Sequence, residues 1–236
     1  MKYETPLIRV KLIKRYKRFL ADVLLDDGTQ ITVHTPNTGS MKGCSEPGSY
    51  IWIRDSGNPK RKYLYSWEMS ELSSGVMVGV NTGLANHLAA EAISSGVVES
   101  LASYGEIKTE VPYGQERSRI DLLLKDPEEK QPDCYVEVKN VTARDGQHAI
   151  FPDAVTARGT KHLRELSHVV AEGGRGVIFF NVQREDVDVF RPAHEIDPLY
   201  AETLAKVVGE GVEVLAYRAS ITPSEVFLDR ALPVEI

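Results

Sequence analysis

Two stretches decide how this chain reads: Arg119-Ile-Asp-Leu-Leu-Leu124 and Tyr135-Val-Glu-Val-Lys139. Each has the composition of a mostly buried strand, yet each carries charge. Asp121 sits in the first, Glu137 and Lys139 in the second. Residues two apart on a strand point to one face, so Glu137 and Lys139 share a face and Val136 and Val138 take the other. The segment between them, Lys125-Asp-Pro-Glu-Glu-Lys-Gln-Pro132, is polar and turn-forming, which makes the pair a hairpin. Neighbouring strands lie about 4.8 Å apart. Two carboxylates meeting at that spacing repel unless a cation lies between them. Hard oxygen ligands with open positions suit Mg²⁺ or Mn²⁺. A lysine beside such a cation can hold a phosphate, orient water or stabilise a pentavalent transition state. That is the equipment for phosphodiester hydrolysis.

Working outward, the second part of the chain mixes helix and strand. Apolar spacing predicts helices over 81–95, 154–171 and Pro198–Gly209, and strands over 105–111, 119–124, 134–139, Arg175–Val182, 212–217 and 225–229. This order makes an α/β layer over residues 81–236. Residues 1–80 read as all-β. Strands are expected over 7–12, 19–25, 30–34, 49–53 and 62–67, with 76–80 closing the sheet and 70–80 as the junction. About five strands in this length suit a small closed barrel such as an OB-fold. The expected fold is thus α+β in two domains: an OB-fold-like barrel, then a mixed α/β domain.

Composition bounds the function. The chain has 236 residues, 42% hydrophobic and 26% charged, which excludes disorder as the main state. The longest apolar runs, such as Gly176-Val-Ile-Phe-Phe180, fall far short of the ~20 residues a membrane helix needs. The N-terminus lacks the apolar core of a signal peptide, and Cys44 and Cys134 are isolated. A soluble, cytoplasmic protein without a membrane partner is expected. The net charge of −6 hides an asymmetry. Residues 1–80 hold 12 basic and 8 acidic residues, and the rest of the chain is strongly acidic. Arg9, Lys11, Lys14, Arg15, Lys17 and Arg18 form one basic run; Arg54, Lys60, Arg61 and Lys62 form another. Tyr16, Tyr50, Trp52, Tyr63, Tyr65 and Trp67 are interleaved with them. A basic groove with stacking aromatics is how OB barrels often bind nucleic acid; solvated charged strands are the ordinary alternative.

The D…E-x-K pattern, in this order of elements, resembles the PD-(D/E)xK nuclease-like superfamily. Arg119-Ile120, rather than a proline, precedes Asp121. The resemblance implies catalytic roles for Asp121, Glu137 and Lys139. It implies metal ligation by Asp121 and Glu137, with Glu91 of the first helix and the carbonyl of Val138 as further ligands. It also places Lys161, in Arg158-Gly-Thr-Lys161, against the phosphate. Ordinary readings stand beside these. Glu137 and Lys139 make a same-face ion pair, Glu91 a solvated helix residue, and Lys161 an i,i+4 partner of Glu165. The histidines have no metal-ligand spacing, and none is assigned a role.

Taken whole, the chain resembles the sugar fermentation stimulation protein A (SfsA) family. The segments that carry this are His34-Thr-Pro-Asn-Thr-Gly-Ser-Met41, Gly79-Val-Asn-Thr82 with Asn86 and Glu91, Ser118-Arg-Ile-Asp121, Val136-Glu-Val-Lys-Asn-Val-Thr142, the run Phe151 to Leu163, and Val177 to Gln183. They span essentially the full length. The resemblance implies an N-terminal OB-fold, a C-terminal nuclease-like domain, non-specific DNA binding and a regulatory role in sugar, notably maltose, metabolism. Three readings follow. In the first, the basic barrel binds DNA phosphates without reading bases. In the second, the chain is a Mg²⁺- or Mn²⁺-dependent nuclease. In the third, it is a catalytically inactive regulator. Oligomeric state is left open.

Overall fold

The computed structural model describes all 236 residues. Alternation builds its first sheet. In β1 (Ile8–Tyr16), Val10 and Leu12 are buried while Arg9 and Lys11 face solvent. A tight turn, with Lys17 and Arg18 at φ 50° and 64°, returns the chain into β2 (Leu20–Leu24). β3 (Gln30–His34), β4 (Tyr50–Asp55) and β5 (Tyr65–Glu71) follow. β1 lies between β2 and β4, β4 pairs β5, and a parallel bridge between His34 and Ser66 joins β3 to β5. The five strands thus close into the expected OB barrel. Its core holds Val10, Leu12, Ile51, Ile53 and Trp67.

Residues 76–80 do not close the barrel. β6 (Met77–Gly79) extends the free edge of β5, and closure comes from β3. The reason lies in its other partners. The Gly79 N–H donates to the Gln183 carbonyl at 2.9 Å, and Val78 bridges Arg184. β6 therefore joins the barrel to the second domain. Residues 1–7 also lie on that domain. The Tyr3 N–H donates to the Ser224 carbonyl, and Leu7 enters the second domain's core.

The second domain runs α1 (Ala85–Ser94), β7 (Glu106–Tyr113), β8 (Ser118–Lys125), β9 (Cys134–Val141), β10 (Ala143–Asp145), β11 (His148–Phe151), α2 (Ala157–Ala171), β12 (Arg175–Val182), β13 (Val189–Pro192), α3 (Pro198–Gly209), β14 (Glu213–Ile221) and β15 (Val226–Ala231). Its main sheet has the order β15-β14-β12-β9-β8-β7. β9, β12 and β14 are parallel, and the outer strands are antiparallel. α1 covers one face, packing Leu88 and Ala92 on Val136, Val138 and Phe179. α2 and α3 cover the other, with Leu163, Leu166 and Leu204 on Ile178 and Phe180. Coverage of both faces is why β12 reads as an unbroken apolar run. β10, β11 and β13 form a separate small sheet that the sequence reading did not anticipate. No helix is long and apolar enough to cross a membrane.

Candidate active site

β8 and β9 pair from Leu124↔Cys134 to Leu122↔Val136. One residue further along β8 stands Asp121, and its carboxylate replaces the next rung of the ladder. The Val138 N–H donates to Asp121 Oδ2 at 2.7 Å, and Asn86 Nδ2, near the start of α1, donates to Oδ1 at 2.9 Å. The alternation of β9 puts Val136 and Val138 under α1 and turns Glu137 and Lys139 towards α2. Glu137 is 2% exposed. Its Oε1 accepts from Lys139 Nζ at 2.6 Å and from His162 Nδ1. His162 Nε2 accepts in turn from Arg158 Nε at 3.4 Å, which places the imidazole proton on Nδ1. Glu137 Oε2 is buried with no partner.

The two carboxyls are pushed in opposite directions. Burial, reinforced by the charge of Glu137, raises Asp121 above the ordinary aspartate range. Burial would also raise Glu137, but the His162 hydrogen bond and the Lys139 charge outweigh it and hold the group below its usual value. A site with two carboxyls pushed apart, one oxygen left unpartnered, has room for a cation's charge. No three Asp, Glu, His or Cys side chains converge here. Two carboxylates nevertheless suffice for a Mg²⁺-type ion, which keeps several of its waters. The donor set therefore fits Mg²⁺ or Mn²⁺. Val138 turns its N–H to Asp121, and on an extended strand its carbonyl faces the same edge.

A cavity of about 420 Å³ opens between the domains and reaches this cluster at Asn86, Val138 and Lys139, with Asp121 and Glu137 set behind its wall. The barrel loop Asn37–Gly39 forms one wall; Val138 to Thr142, Asn86, Phe151 and Arg158 form the rest. That loop is clasped to the second domain by Ser40, whose N–H donates to Asp153 Oδ2 at 2.7 Å.

Two residues expected in the site lie elsewhere. Glu91 is five residues beyond Asn86, about 140° round the helix; it faces outward and pairs with the N-terminal ammonium at 2.7 Å. Lys161 points to the β7–β8 turn and donates to the Glu116 carbonyl at 2.5 Å. Nor does it pair with Glu165, a buried carboxylate that accepts from the N–H groups of Gln115 and Glu116. A helix advances about 100° per residue, so the neighbour, His162, meets Glu137 instead. His162, Arg158 and Asn86 lie in segments that carry the family resemblance, but the sequence pattern assigns them no role in the site. The available signal was Arg158 and His162 four apart on one helical face, beside Leu166 and Val169.

The basic residues of the barrel divide. Arg9 is bidentate to Glu71 and lies 3.5 Å over the Tyr50 ring. Arg54 pairs with the buried Glu68, and Lys14 lies 3.7 Å from Asp22. Arg15 donates through Nη2 to the carbonyls of Arg18, Asn37 and Gly39. Those four are held by the protein itself. Lys11, Lys17, Arg18, Lys60, Arg61 and Lys62 are exposed and pair with no carboxylate.

Comparison with known proteins gives the same two parts. The profile described as the SfsA N-terminal OB domain matches residues 13–80, and that of the sugar fermentation stimulation protein RE domain matches 83–225. The chain belongs to the sugar fermentation stimulation protein family. Relatives named sugar fermentation stimulation protein homologs share 55% identity in Geobacter metallireducens, over 99% of each chain, and 56% in Pelobacter propionicus, over 97% of each. The solved structure of Pyrococcus furiosus SfsA in complex with Ca²⁺ superposes with a TM-score of 0.89 at 26% identity, covering 100% of this chain and 98% of that one. This family's two-domain plan is the one described above.

Proposed function

We propose that this family member binds DNA non-specifically through phosphate contacts of its barrel, and hydrolyses phosphodiester bonds in the interdomain cleft with Mg²⁺ or Mn²⁺ held by Asp121 and Glu137. The observation that carries this reading is the buried, unpartnered Glu137 Oε2 on the strand whose Val138 and Lys139 line a cleft walled by the barrel, with Asp121 bonded to the Val138 N–H. The Ca²⁺ complex of the Pyrococcus relative supports it, since that protein takes up a hard divalent cation. Such an ion polarises a phosphoryl oxygen and lowers the pKa of bound water. Asp121 and Glu137 supply its anionic ligands, with the Val138 carbonyl beside them. Lys139, 13% exposed at its side chain, stabilises charge building on the phosphoryl oxygens. Arg158 reaches the same cavity and holds a non-bridging oxygen. His162 fixes the orientation of Glu137 through its Nδ1–H.

The exposed Lys17, Arg18, Lys60, Arg61 and Lys62 reach DNA without an internal competitor. Affinity should therefore fall linearly in log salt, by counterion release. A role in sugar metabolism, acting in the cytoplasm, would run through this binding. A second reading, binding without cleavage, is favoured by the pairing of Glu137 with both Lys139 and His162, which compensates its charge without a cation. Labelled single- and double-stranded DNA incubated with Mn²⁺, Mg²⁺ or EDTA separates the two. Metal-dependent cleavage, lost in Glu137→Ala and Lys139→Ala, is expected. Salt-sensitive binding without cleavage, unchanged in both variants, would leave the second reading.

A further inference from the structure

Most aromatic side chains of the barrel are already engaged. Trp67 is buried, Trp52 donates to Glu71, Tyr50 lies under Arg9, and Tyr16 donates to Asp22. Phe19 is different. It is 45% exposed, it closes the β1–β2 turn directly after Lys17 and Arg18, and no cation or second ring covers it. The barrel closure brings a second basic turn towards it. The Phe19 carbonyl accepts from the Thr35 N–H, Leu20 pairs with His34, and His34 pairs with Ser66. Arg61 donates to Ser66 Oγ, and its charge reaches His34. Leu20, next to Phe19, and Ser66, which accepts from Arg61, are thus about two strand spacings apart, roughly 10 Å. The exposed Phe19 thus follows one basic turn directly in sequence and shares an edge of the barrel with the second.

An apolar ring beside cations is complementary to a planar apolar face beside phosphates. Unpaired bases present that face; in a duplex the bases are already stacked and paired. We infer that Phe19 is a stacking platform for an unpaired base, and that the strand this protein prefers is single-stranded. The inference rests on the nucleic-acid reading above and adds its substrate class. The path to the cleft is short. Arg15 ties the carbonyl of Arg18 to those of Asn37 and Gly39, so the turn that carries Phe19 is fastened to the cleft wall. At about 420 Å³ the cleft falls in the small-ligand range. Asn37, Asn86 and Asn140 line it, and Asn140 Oδ1 is buried without a partner. That lining suits the edge of one unpaired nucleotide.

The test is fluorescence anisotropy with a labelled oligonucleotide, single-stranded and as duplex, in EDTA so that cleavage plays no part. Phe19→Ala, Phe19→Trp and the double variant K17A/R18A are compared with the parent chain. The parent should bind the single strand more tightly than the duplex. Phe19→Ala should lose roughly 5- to 150-fold in single-strand affinity, the range of one base–aromatic stack. Its duplex affinity and salt slope should be unchanged, and Phe19→Trp should restore single-strand binding. K17A/R18A should weaken both ligands and flatten the salt slope. Equal binding of both ligands by the parent, or a Phe19→Ala variant as tight as the parent, overturns the stacking inference while leaving nucleic-acid binding intact. Absence of binding to either ligand overturns both.

Discussion

Arg15 sits in the middle of the first basic run, and by sequence it is a phosphate contact. Its surroundings assign it another task. Nη2 donates at 2.6, 2.8 and 2.9 Å to the carbonyls of Arg18, Asn37 and Gly39, and Nε is buried without a partner. Two N–H groups shared among three carbonyls contribute about 3–6 kcal/mol at 1.5–3 each for charged donors, less about 1–3 for the orphaned Nε. Arg15→Ala should therefore destabilise the fold by about 2.5 kcal/mol, the difference of the mid-range values. At 2–4 °C per kcal/mol for a chain of this length, the midpoint of thermal unfolding should fall by roughly 5–10 °C. Arg15→Lys should recover little, because an ammonium on a flexible stem cannot span three carbonyls. The assay pairs calorimetry with the salt dependence of DNA binding. K17A/R18A should show the converse, with an unchanged melting temperature and a shallower slope. An Arg15→Ala protein that melts with the parent but binds with a shallower salt slope would refute the staple and return Arg15 to the DNA-contacting set.

Other expectations follow from the site. Under cleavage conditions Lys161→Ala should stay within about twofold of the parent. Arg158→Ala should lose on the order of 10²-fold in kcat, as when one transition-state donor is removed. Mn²⁺ at about 100 times its Kd should stabilise the chain by about 2.7 kcal/mol, read as a melting shift of roughly 5–10 °C. Glu91→Gln should keep that shift and Glu137→Ala should abolish it; a shift lost in Glu91→Gln would put Glu91 back among the ligands. Burial pushes the thiols of Cys44 and Cys134 up to about 11 and about 12. The reactive thiolate forms only above those values, so at pH 9 about 1% or less of either is ionised. Thiol reagents should find neither cysteine in the native protein at pH 8–9 and both in denaturant.

Where pattern and packing agree, the chain could be read directly. Arg175–Val182 and Pro198–Gly209 have the boundaries their periodicity predicts. The alternation around Glu137 places Lys139 on its face and the valines on the other. What failed depended on partners distant in sequence. β10, β11 and β13 are short and irregular, and they are strands only because β11 finds β13 across α2 and β12. Barrel closure went to His34 rather than to residues 76–80, because Gln183 and Arg184 hold that segment. The resemblance places Lys161 against the phosphate, yet helix phase brings His162 to Glu137 instead, and one residue turns a side chain through about 100°. Arg9, Arg15 and Arg54 look like free cations in the sequence because Glu71, Glu68 and the loop carbonyls that hold them come from elsewhere in the chain.

The junction between the domains bears on the mechanism as much as the carboxylates do. Domains joined by a small polar interface move relative to each other by default. Here the contact is apolar and continuous. Met69 of the barrel and Leu7 lie in the same buried cluster as α1 and Phe179, with Trp52 packed on it. β6 is bonded on one side to β5 and on the other to Gln183, and a Cβ on Gly79 would lie 2.1 Å from the Gln183 amide oxygen. Asn81, at the chain crossing, donates to the buried Glu68, which also holds Arg54. On the proposed reading, DNA bound to the barrel would be held at a fixed position relative to Asp121 and Glu137. Binding through phosphates carries no sequence information. On that reading discrimination would fall to what the rigid cleft admits, and the property selected would be the form of the strand rather than its sequence.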